Sequence, residues 1–491
     1  MANVFSEVLS GTVALYKGMR VTLGYMFKQR FNVPYPEKKH PLPERFRGVL
    51  RIKDKIDSPT APLTWQQAVD VTDKEGAMPP CMEACPDHQH ARDYIRFISQ
   101  RQFLLGLQIS RLTMPYPGSM GRACARPCEQ ACRMGEEGES IAICQLKRFV
   151  ADWGRENVPM EQWDPVVNKV KGAERYRIAI IGGGPAGMTA AHMLGRKGYG
   201  VTVFDNRAVL GGYFSVGIPQ HRLPREIVDE ENESVLRYGV EARLNCTVGK
   251  DIEFRDIYKE FDAVLLSTGA TVPNSLGFEG EDMEGIYKGE YFLEKVCLGQ
   301  PPKVGKKVIV IGLGLTAVDC ARVARRLGGE IVKFSSQHTK KEAPAPEHEI
   351  ADCEGEGIEV IELVNPVGFI GENGKLTALK LVKTKLGELD SSGRRRVIPL
   401  PGTEFTIPTD CVITAISRKC DYSYLPEDMD FTFRRNKTVK VDENYMTNVD
   451  GVFAAGDGVI GPWNLISAIA QGRFASGGVE RYLDGKTPKK G

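Results

Sequence analysis

The chain has 491 residues, of which 42% are hydrophobic and 26% charged, and its formal net charge is +2. That length suggests about three domains and a sizeable core, and the near-neutral charge gives no footprint for nucleic-acid binding. No secretory leader is recognisable and no uncharged run is long enough to span a bilayer, so twelve cysteines point to a reducing, cytoplasmic compartment, with metal or redox roles for those that cluster.

Residues 1–55 read as an amphipathic extension. Val4, Val8, Leu9, Val13, Leu15, Tyr16, Met19, Leu23 and Met26 mark one apolar helical face, and Lys17, Arg20, Lys28 and Arg30 add positive charge. Such a helix lies on a membrane surface or a partner, or packs on the chain's own body. The proline-rich VPYPEKKHPLPERFRG that follows reads as extended. Leu15 to Gly48 resembles the N-terminal segment of the ferredoxin-like subunit of respiratory complex I, with its helix, YPE and RFRG, but the ferredoxin part is absent. The resemblance implies docking onto a larger assembly through residues 1–55, with membrane-bound subunits as partners and a peripheral place on the cytoplasmic membrane.

Residues 56–170 carry six clustered cysteines: Cys81, Cys85, Cys124, Cys128, Cys132 and Cys144. Cys246, Cys297, Cys320, Cys353, Cys411 and Cys420 are scattered and read as small core residues. Thiolate ligands select iron–sulfur or zinc, and the uneven spacing with Cys85-Pro86 favours iron–sulfur. His88 and His90 read as polar loop. PCMEACP, GRACARPCEQAC and SIAI…LKRFVADW resemble the α-helical iron–sulfur domain shared by the glutamate synthase small subunit, dihydropyrimidine dehydrogenase and the NADPH-binding subunit of the bifurcating transhydrogenase. That domain usually holds two four-iron clusters. The family's further C-x-x-C upstream is missing, which leaves Cys81 and Cys132 as remnants of one ligand set. The other keeps Cys85, Cys124 and Cys128. Its fourth ligand in the family is a Glu or Gln at the position of Lys147, and an ammonium cannot ligate. Cys144, three residues earlier on the same helical face, is the replacement. One [4Fe-4S] cluster is therefore expected on Cys85, Cys124, Cys128 and Cys144, and a second only if other groups complete Cys81 and Cys132.

The stretch from Ile178 to Gly212, IAIIGGGPAGMTAAHMLGRKGYGVTVFDNRAVLGG, is a strand, a glycine turn, a helix from Ala186 to Lys197, and a second strand, Val201 to Phe204, ending on Asp205. This is a dinucleotide-binding unit. Gly182 permits the turn, Gly184 lets backbone approach a pyrophosphate, and Gly187 lets helix and strand pack. The first helical turn, with Pro185 and Ala186, faces the phosphates, and Asp205 accepts from a ribose. A second unit begins at Lys307, KKVIVIGLGLTAVDCARVARRLGG, with Gly312 and Gly314 in the turn, Thr316 on the helix, Ala317 at the third glycine position, and the strand EIVKFSS. Two units suggest two nucleotides, a held flavin and a nicotinamide that comes and goes.

From Arg177 onward the chain resembles the same family closely. The matching motifs are GIPQHRLP (Gly217 to Pro224, with Arg222), LLSTGA (Leu265 to Ala270, with Thr268 and Gly269), SSGRRRVIPLPGTEF (Ser391 to Phe405) and GVFAAGDGVIGPWNLISAIAQGRFA (Gly451 to Ala475). The resemblance implies an α/β fold with two Rossmann-like domains of glutathione-reductase type. Gly211, Gly212, Arg222, Thr268, Gly269, Gly456, Asp457 and Asn464 join the FAD site. Asp457 is placed on the ribityl chain, and the helical pattern Leu465 to Ala475 points its N-terminus at the ring. The FAD domain, residues 171–290 and 444–491, is then interrupted by the NAD(P) domain, residues 291–443. NADPH-using relatives end the second strand of that domain in Tyr-Arg-Arg, whereas this chain has Ser336-Gln337-His338. A 2′-phosphate calls for a guanidinium fork, so NADH is the expected nucleotide over NADPH. The implied reaction is hydride transfer between NAD(P)H and FAD, with single electrons exchanged through the cluster with an electron-transfer protein partner. A glutamate synthase small subunit is one alternative. A docking or assembly subunit on an inherited reductase fold is another.

Overall fold

A computed structural model describes residues 78–136, 138–389 and 395–489. The expected amphipathic extension, residues 1–55, and the start of the Ser391–Phe405 motif lie outside the described residues. The apolar run Arg177–Ile181 is the central strand of a five-stranded parallel sheet. Its order is Val452–Ala454, Ala263–Leu266, Arg177–Ile181, Gly200–Phe204, Glu241–Arg243. Successive side chains of a strand point to opposite faces. Ile178 and Ile180 accordingly pack with Ala190, Leu194 and Ile469, while Ala179 and Ile181 pack with Phe254, Ile257 and Val459. Burial on both faces explains why these strands are continuously apolar rather than alternating.

Two helices lie against one face, Pro185–Arg196 and Leu465–Leu483. The second continues well past the Leu465–Ala475 pattern expected from the motif, because Val479 and Leu483 extend the same buried stripe. The two cross closely at Gly472, where a Cβ would stand 2.1 Å from the Ala186 carbonyl oxygen.

A second parallel sheet runs Ile286–Lys288, Cys411–Thr414, Lys307–Ile311, Ile331–Ser335, Glu359–Ile361. Beside it the strand Val364–Glu372 pairs antiparallel with Lys375–Leu389, which also pairs with Arg395–Pro399 and Phe405–Pro408. The chain passes from the first sheet to the second and back through one antiparallel pair, Ala270–Pro273 with Arg418–Cys420.

The helices Ala91–Ser99, Phe103–Arg111 and Ile143–Asn157 precede both sheets and share a core of Tyr94, Phe97, Ile98, Leu107 and Val150. They are tied to the first sheet's domain by a buried polar network. The Arg111 guanidinium donates to both carboxylate oxygens of Asp164 (2.8 and 2.9 Å) and to Ser234 Oγ (2.9 Å). Asp164 also accepts from His192 Nε2 at 3.0 Å and from the Tyr238 hydroxyl at 3.1 Å. Among the described residues no helix is long and apolar enough to cross a membrane.

Candidate cofactor sites

The first glycine turn opens onto a cleft of about 1390 Å³, its open mouth included. Its walls combine glycine backbone, two helix starts and a few polar side chains, which suits a dinucleotide. Gly182 has φ +106°, and a Cβ there would meet the Ser267 carbonyl oxygen at 2.5 Å. Gly184 is different. Its φ is −80°, and a Cβ would reach only Gly212 Cα at 3.9 Å, so the space beside it belongs to the cleft. Pro185 at the first helical position loses no donor, and the remaining first-turn N–H groups face the opening. The helix Leu465–Leu483 also starts at the cleft, and its cap Asn464 accepts from Ser467 N at 2.9 Å. Two helix N-termini thus supply positive potential to one cavity.

Asp205 accepts from Gly183 N at 2.7 Å and from Arg207 N at 2.8 Å. Burial raises its carboxyl pKa against those two donors. Asp457 sits opposite. Burial raises it as well, opposed by the Arg418 guanidinium and by the N–H groups of Trp463 and Ala270. These residues fit FAD: a glycine cradle, helix N-termini for phosphate, and carboxylates for sugar and ribityl hydroxyls.

Gly182, Gly184, Pro185, Ala186, Asp205, Gly212, Thr268, Gly269, Gly456, Asp457, Asn464 and Thr316 line the cleft together. Gly187 and Gly211 stand behind the wall. A Cβ at Gly187 would lie 2.0 Å from the Gly182 oxygen, and one at Gly211 would lie 2.5 Å from Ser215 Oγ. Arg222 also lines the cleft, but its guanidinium is taken up by Asp319 at 3.0 Å and by Glu349. In this structure it ties the first domain to the second. Sequence reasoning passed over Tyr213, whose hydroxyl is 3.2 Å from Thr316 Oγ1, and Arg418, whose guanidinium lies 4.4 Å from the Tyr213 ring centre. Neither belongs to a local motif, so only the folded contact reveals them.

In the second sheet Gly312 has φ +120° and makes the turn, Gly314 is open apart from Pro344 Cβ at 4.0 Å, and Ala317 is fully buried. Ala317 fills the third glycine position without clash and, with Gly312 and Gly314, lies outside the first cleft. The strand Ile331–Ser335 ends on Ser336, whose hydroxyl donates to His338 O at 2.9 Å and accepts from His338 N at 3.1 Å. Ser336 is buried in its own turn, while Gln337 is exposed at the strand end. The open turn and free helix start fit a second dinucleotide.

Three of the clustered thiols, Cys85, Cys124 and Cys144, are buried, and Cys128 is partly so. Near them on the helix Ile143–Asn157, one turn after Cys144, lies Lys147, which is only 5% exposed. Burial opposes its ammonium, yet the thiols of Cys124, Cys144, Cys128 and Cys85 outweigh this and raise its pKa. The Cys144 thiol holds the Cys124 pKa down, with Lys147 assisting against burial. Cys128 is pushed up to about 12, chiefly by burial. Cys124 Sγ accepts from Arg126 N at 3.4 Å, and Cys144 N donates to Glu129 Oε1 at 2.8 Å. Cys81, whose pKa is raised chiefly by burial, lies near Cys132. Among the described residues no three His, Cys, Asp or Glu side chains stand in single-ion geometry. Four thiols around a cation fit an anionic cluster. His88 bonds the Met82 carbonyl and His90 lies beside Asp93, as polar loop residues do. Of the scattered cysteines, Cys246 is half-buried rather than core.

Residues 176–472 match the model of the family described as pyridine nucleotide-disulphide oxidoreductase. The chain belongs to this family. Residues 73–158 match the family described as dihydropyrimidine dehydrogenase domain II, 4Fe-4S cluster. This pyridine nucleotide-disulphide oxidoreductase is 38% identical over 447 residues to the NADP(+)-dependent formate dehydrogenase subunit beta of Moorella thermoacetica, covering 87% of this chain and 62% of that one. It is 35% identical to the NADPH-Fe(3+) oxidoreductase subunit beta of Geobacter sulfurreducens, covering 82% and 64%. It therefore spans just under two thirds of the length of those relatives. The glutamate synthase [NADPH] small chain of Escherichia coli is 31% identical, with 83% and 89% covered. Mycobacterium tuberculosis FprA in complex with NADPH shares the fold, at TM-score 0.55 and 17% identity over 63% of this chain and 84% of that one. The two family matches carry FAD, NAD(P)H and a 4Fe-4S centre with them, and they make the chain an NAD(P)H-dependent FAD and iron–sulfur oxidoreductase.

Proposed function

We propose that the chain is the reductase subunit of a larger complex, exchanging electrons between NAD(P)H and a protein partner. One observation carries this reading. A single cleft is bounded by the Gly182–Gly184 turn, by Thr316 of the second nucleotide unit, and by Ala123 and Ala125, the neighbours of Cys124. A hydride donor, a flavin site and a thiol cluster thus converge on one cavity. When bound, FAD supplies the two-electron acceptor and the iron–sulfur centre the one-electron carrier. The residues' tasks follow from position. Gly184 and the two helix N-termini hold and orient the dinucleotide. Tyr213, held by Thr316 and the Arg418 guanidinium, stands where the two nucleotide units meet and keeps water from the reacting faces. Cys85, Cys124, Cys128 and Cys144 are the proposed cluster ligands, and Cys81 with Cys132 makes no second set alone.

Cys144→Ala should cut iron per protein by more than half while leaving FAD in place, measured by metal analysis beside flavin absorbance. Unchanged iron would remove Cys144 from the ligand set.

NADH is the proposed donor, supported by the strand end. Ser336 spends its hydroxyl on its own turn and Gln337 is neutral, so among the described residues positions 336–338 themselves present no guanidinium fork to a 2′-phosphate. The relatives' names, which specify NADP or NADPH, favour the opposite choice. Anaerobic titration decides. Bleaching of the flavin at roughly tenfold lower NADH than NADPH is expected, and bleaching by NADPH alone would reverse the assignment while keeping the reductase.

Docking through residues 1–55 to membrane-bound partners, in the cytoplasm, is the proposed cellular setting, supported by the apolar face of that segment. Residues 52–491 expressed alone should keep FAD and iron but lose co-purifying subunits. A glutamate synthase role would be revived by co-purification with a large amidotransferase subunit.

A further inference from the structure

Among the described residues no carboxylate pairs with the buried ammonium of Lys147. This lysine lies one turn beyond Cys144 on the helix Ile143–Asn157. The groups that act on its charge are the four thiols Cys124, Cys144, Cys128 and Cys85. The nearest acid on the adjoining loop, Glu129, is turned to Cys144 N and toward Arg126. Arg122 and Arg148, its other cationic neighbours in sequence and space, are both paired with Asp152. A buried cation left without an anion is strongly disfavoured. The fold therefore favours negative charge beside Lys147.

We propose that Lys147 is a positioning residue that sets the reduction potential of the cluster, holding it high enough to take single electrons from the neighbouring cleft. The inference rests on the reading of Cys85, Cys124, Cys128 and Cys144 as its ligands. A four-iron cluster bound by four thiolates is an anion, and it gains one further negative charge when one electron enters. No bond forms or breaks in that step, and the electron comes from the reduced flavin of the adjoining cleft. A fixed positive charge in a buried, low-dielectric setting one helical turn from Cys144 stabilises the more negative state more strongly. Lys147 thus favours reduction. It also fills the helix position one turn after Cys144, from which no protein ligand can then reach the iron, so Cys144 is left as the helix's sole donor. The N–H donated by Arg126 to Cys124 Sγ acts in the same direction but more weakly, being a dipole rather than a charge.

The test is an EPR-monitored potentiometric titration of the full chain, with iron and FAD measured on the same samples. In Lys147→Met the cluster's reduction equilibrium should shift at least tenfold toward the oxidised form, a fall of 59 mV or more for one electron. Lys147→Arg, which keeps the charge, should stay within threefold of the wild type. A Lys147→Met protein with full iron and an unmoved potential overturns the inference. Should Lys147→Met hold no iron, Lys147→Leu and Lys147→Arg decide. Iron kept by Arg and lost by both neutral variants supports the need for charge, and iron lost by all three assigns Lys147 to packing and overturns it. Wild-type iron that survives Cys144→Ala would instead remove the underlying ligand reading, whatever the Lys147 variants do.

Discussion

Gly184→Val is expected to give a folded protein that no longer retains FAD. The backbone at Gly184 has φ −80° and ψ −173°, which any L-residue adopts. A Cβ there touches only Gly212 Cα at an ordinary 3.9 Å. The substitution therefore costs the fold little. Its branched side chain instead enters the space in which a pyrophosphate meets the start of the helix Pro185–Arg196. That contact is backbone to phosphate, so a displacement of one or two ångströms removes several hydrogen bonds at once. A loss of roughly a thousandfold in affinity, about 4 kcal/mol, is expected, with FAD per protein falling below about a tenth of wild type while iron is retained. Gly182→Val makes the contrast. Its φ of +106° and the Ser267 carbonyl 2.5 Å from a Cβ predict a protein that fails to fold. A purified Gly184→Val protein carrying full FAD would show that the first glycine turn does not hold the flavin.

Arg111→Ala should destabilise the protein by about 3–5 kcal/mol, the usual cost of removing one partner of a buried ion pair. Arg111 is wholly buried and bridges Asp164, Ser234 and the Pro115 carbonyl. Its loss leaves Asp164 charged with only His192 and Tyr238 as partners. Arg111→Lys should not rescue it, because the two parallel bonds to Asp164 need a planar fork. The network also makes the protein sensitive to acid. Burial lowers the His192 pKa to about 4, against the pull of Asp164, so the folded protein holds this histidine neutral. Between pH 6.5 and 4 the unfolded chain binds a proton that the native one refuses. Stability from this group is thus complete above pH 6.5 and falls as pH drops toward 4, by about 3 kcal/mol in all. His192→Gln keeps a donor toward Asp164 and should flatten that acid limb. Thermal denaturation followed by circular dichroism from pH 4 to 8 checks both variants. Arg111→Ala should melt on the order of 5–10 °C lower at neutral pH, and a midpoint within 1 °C of wild type would refute the role given to this network.

The fold class was legible because its signals are short-range. A β-branched run, three glycines and an amphipathic helix fix a strand–turn–helix within about thirty residues, and the second copy at Gly312–Ala317 repeats it with one glycine replaced. Element type and the two nucleotide units therefore followed from local sterics alone. The length of the helix Leu465–Leu483 did not, since Val479 and Leu483 are held in it by burial against the first sheet. The partners of Arg222 were hidden for a related reason. Its motif lies in one domain, but Asp319 and Glu349, which occupy its guanidinium, are about a hundred residues away in the other.

What the sequence by itself determined was the set of parts: two glycine turns, six clustered cysteines and a lysine where no ligand can be. Tertiary structure alone decided how they meet. Only packing sets the neighbours of Cys124 against the flavin cleft, brings Cys85 and Cys144 to one cation, turns Ser336 into its own loop, and joins Arg111 to Asp164. The physical reason is separation along the chain. Backbone sterics act over a few residues and leave a mark that can be read in order. A charge buried among groups tens of residues apart exists only once the core has closed around it.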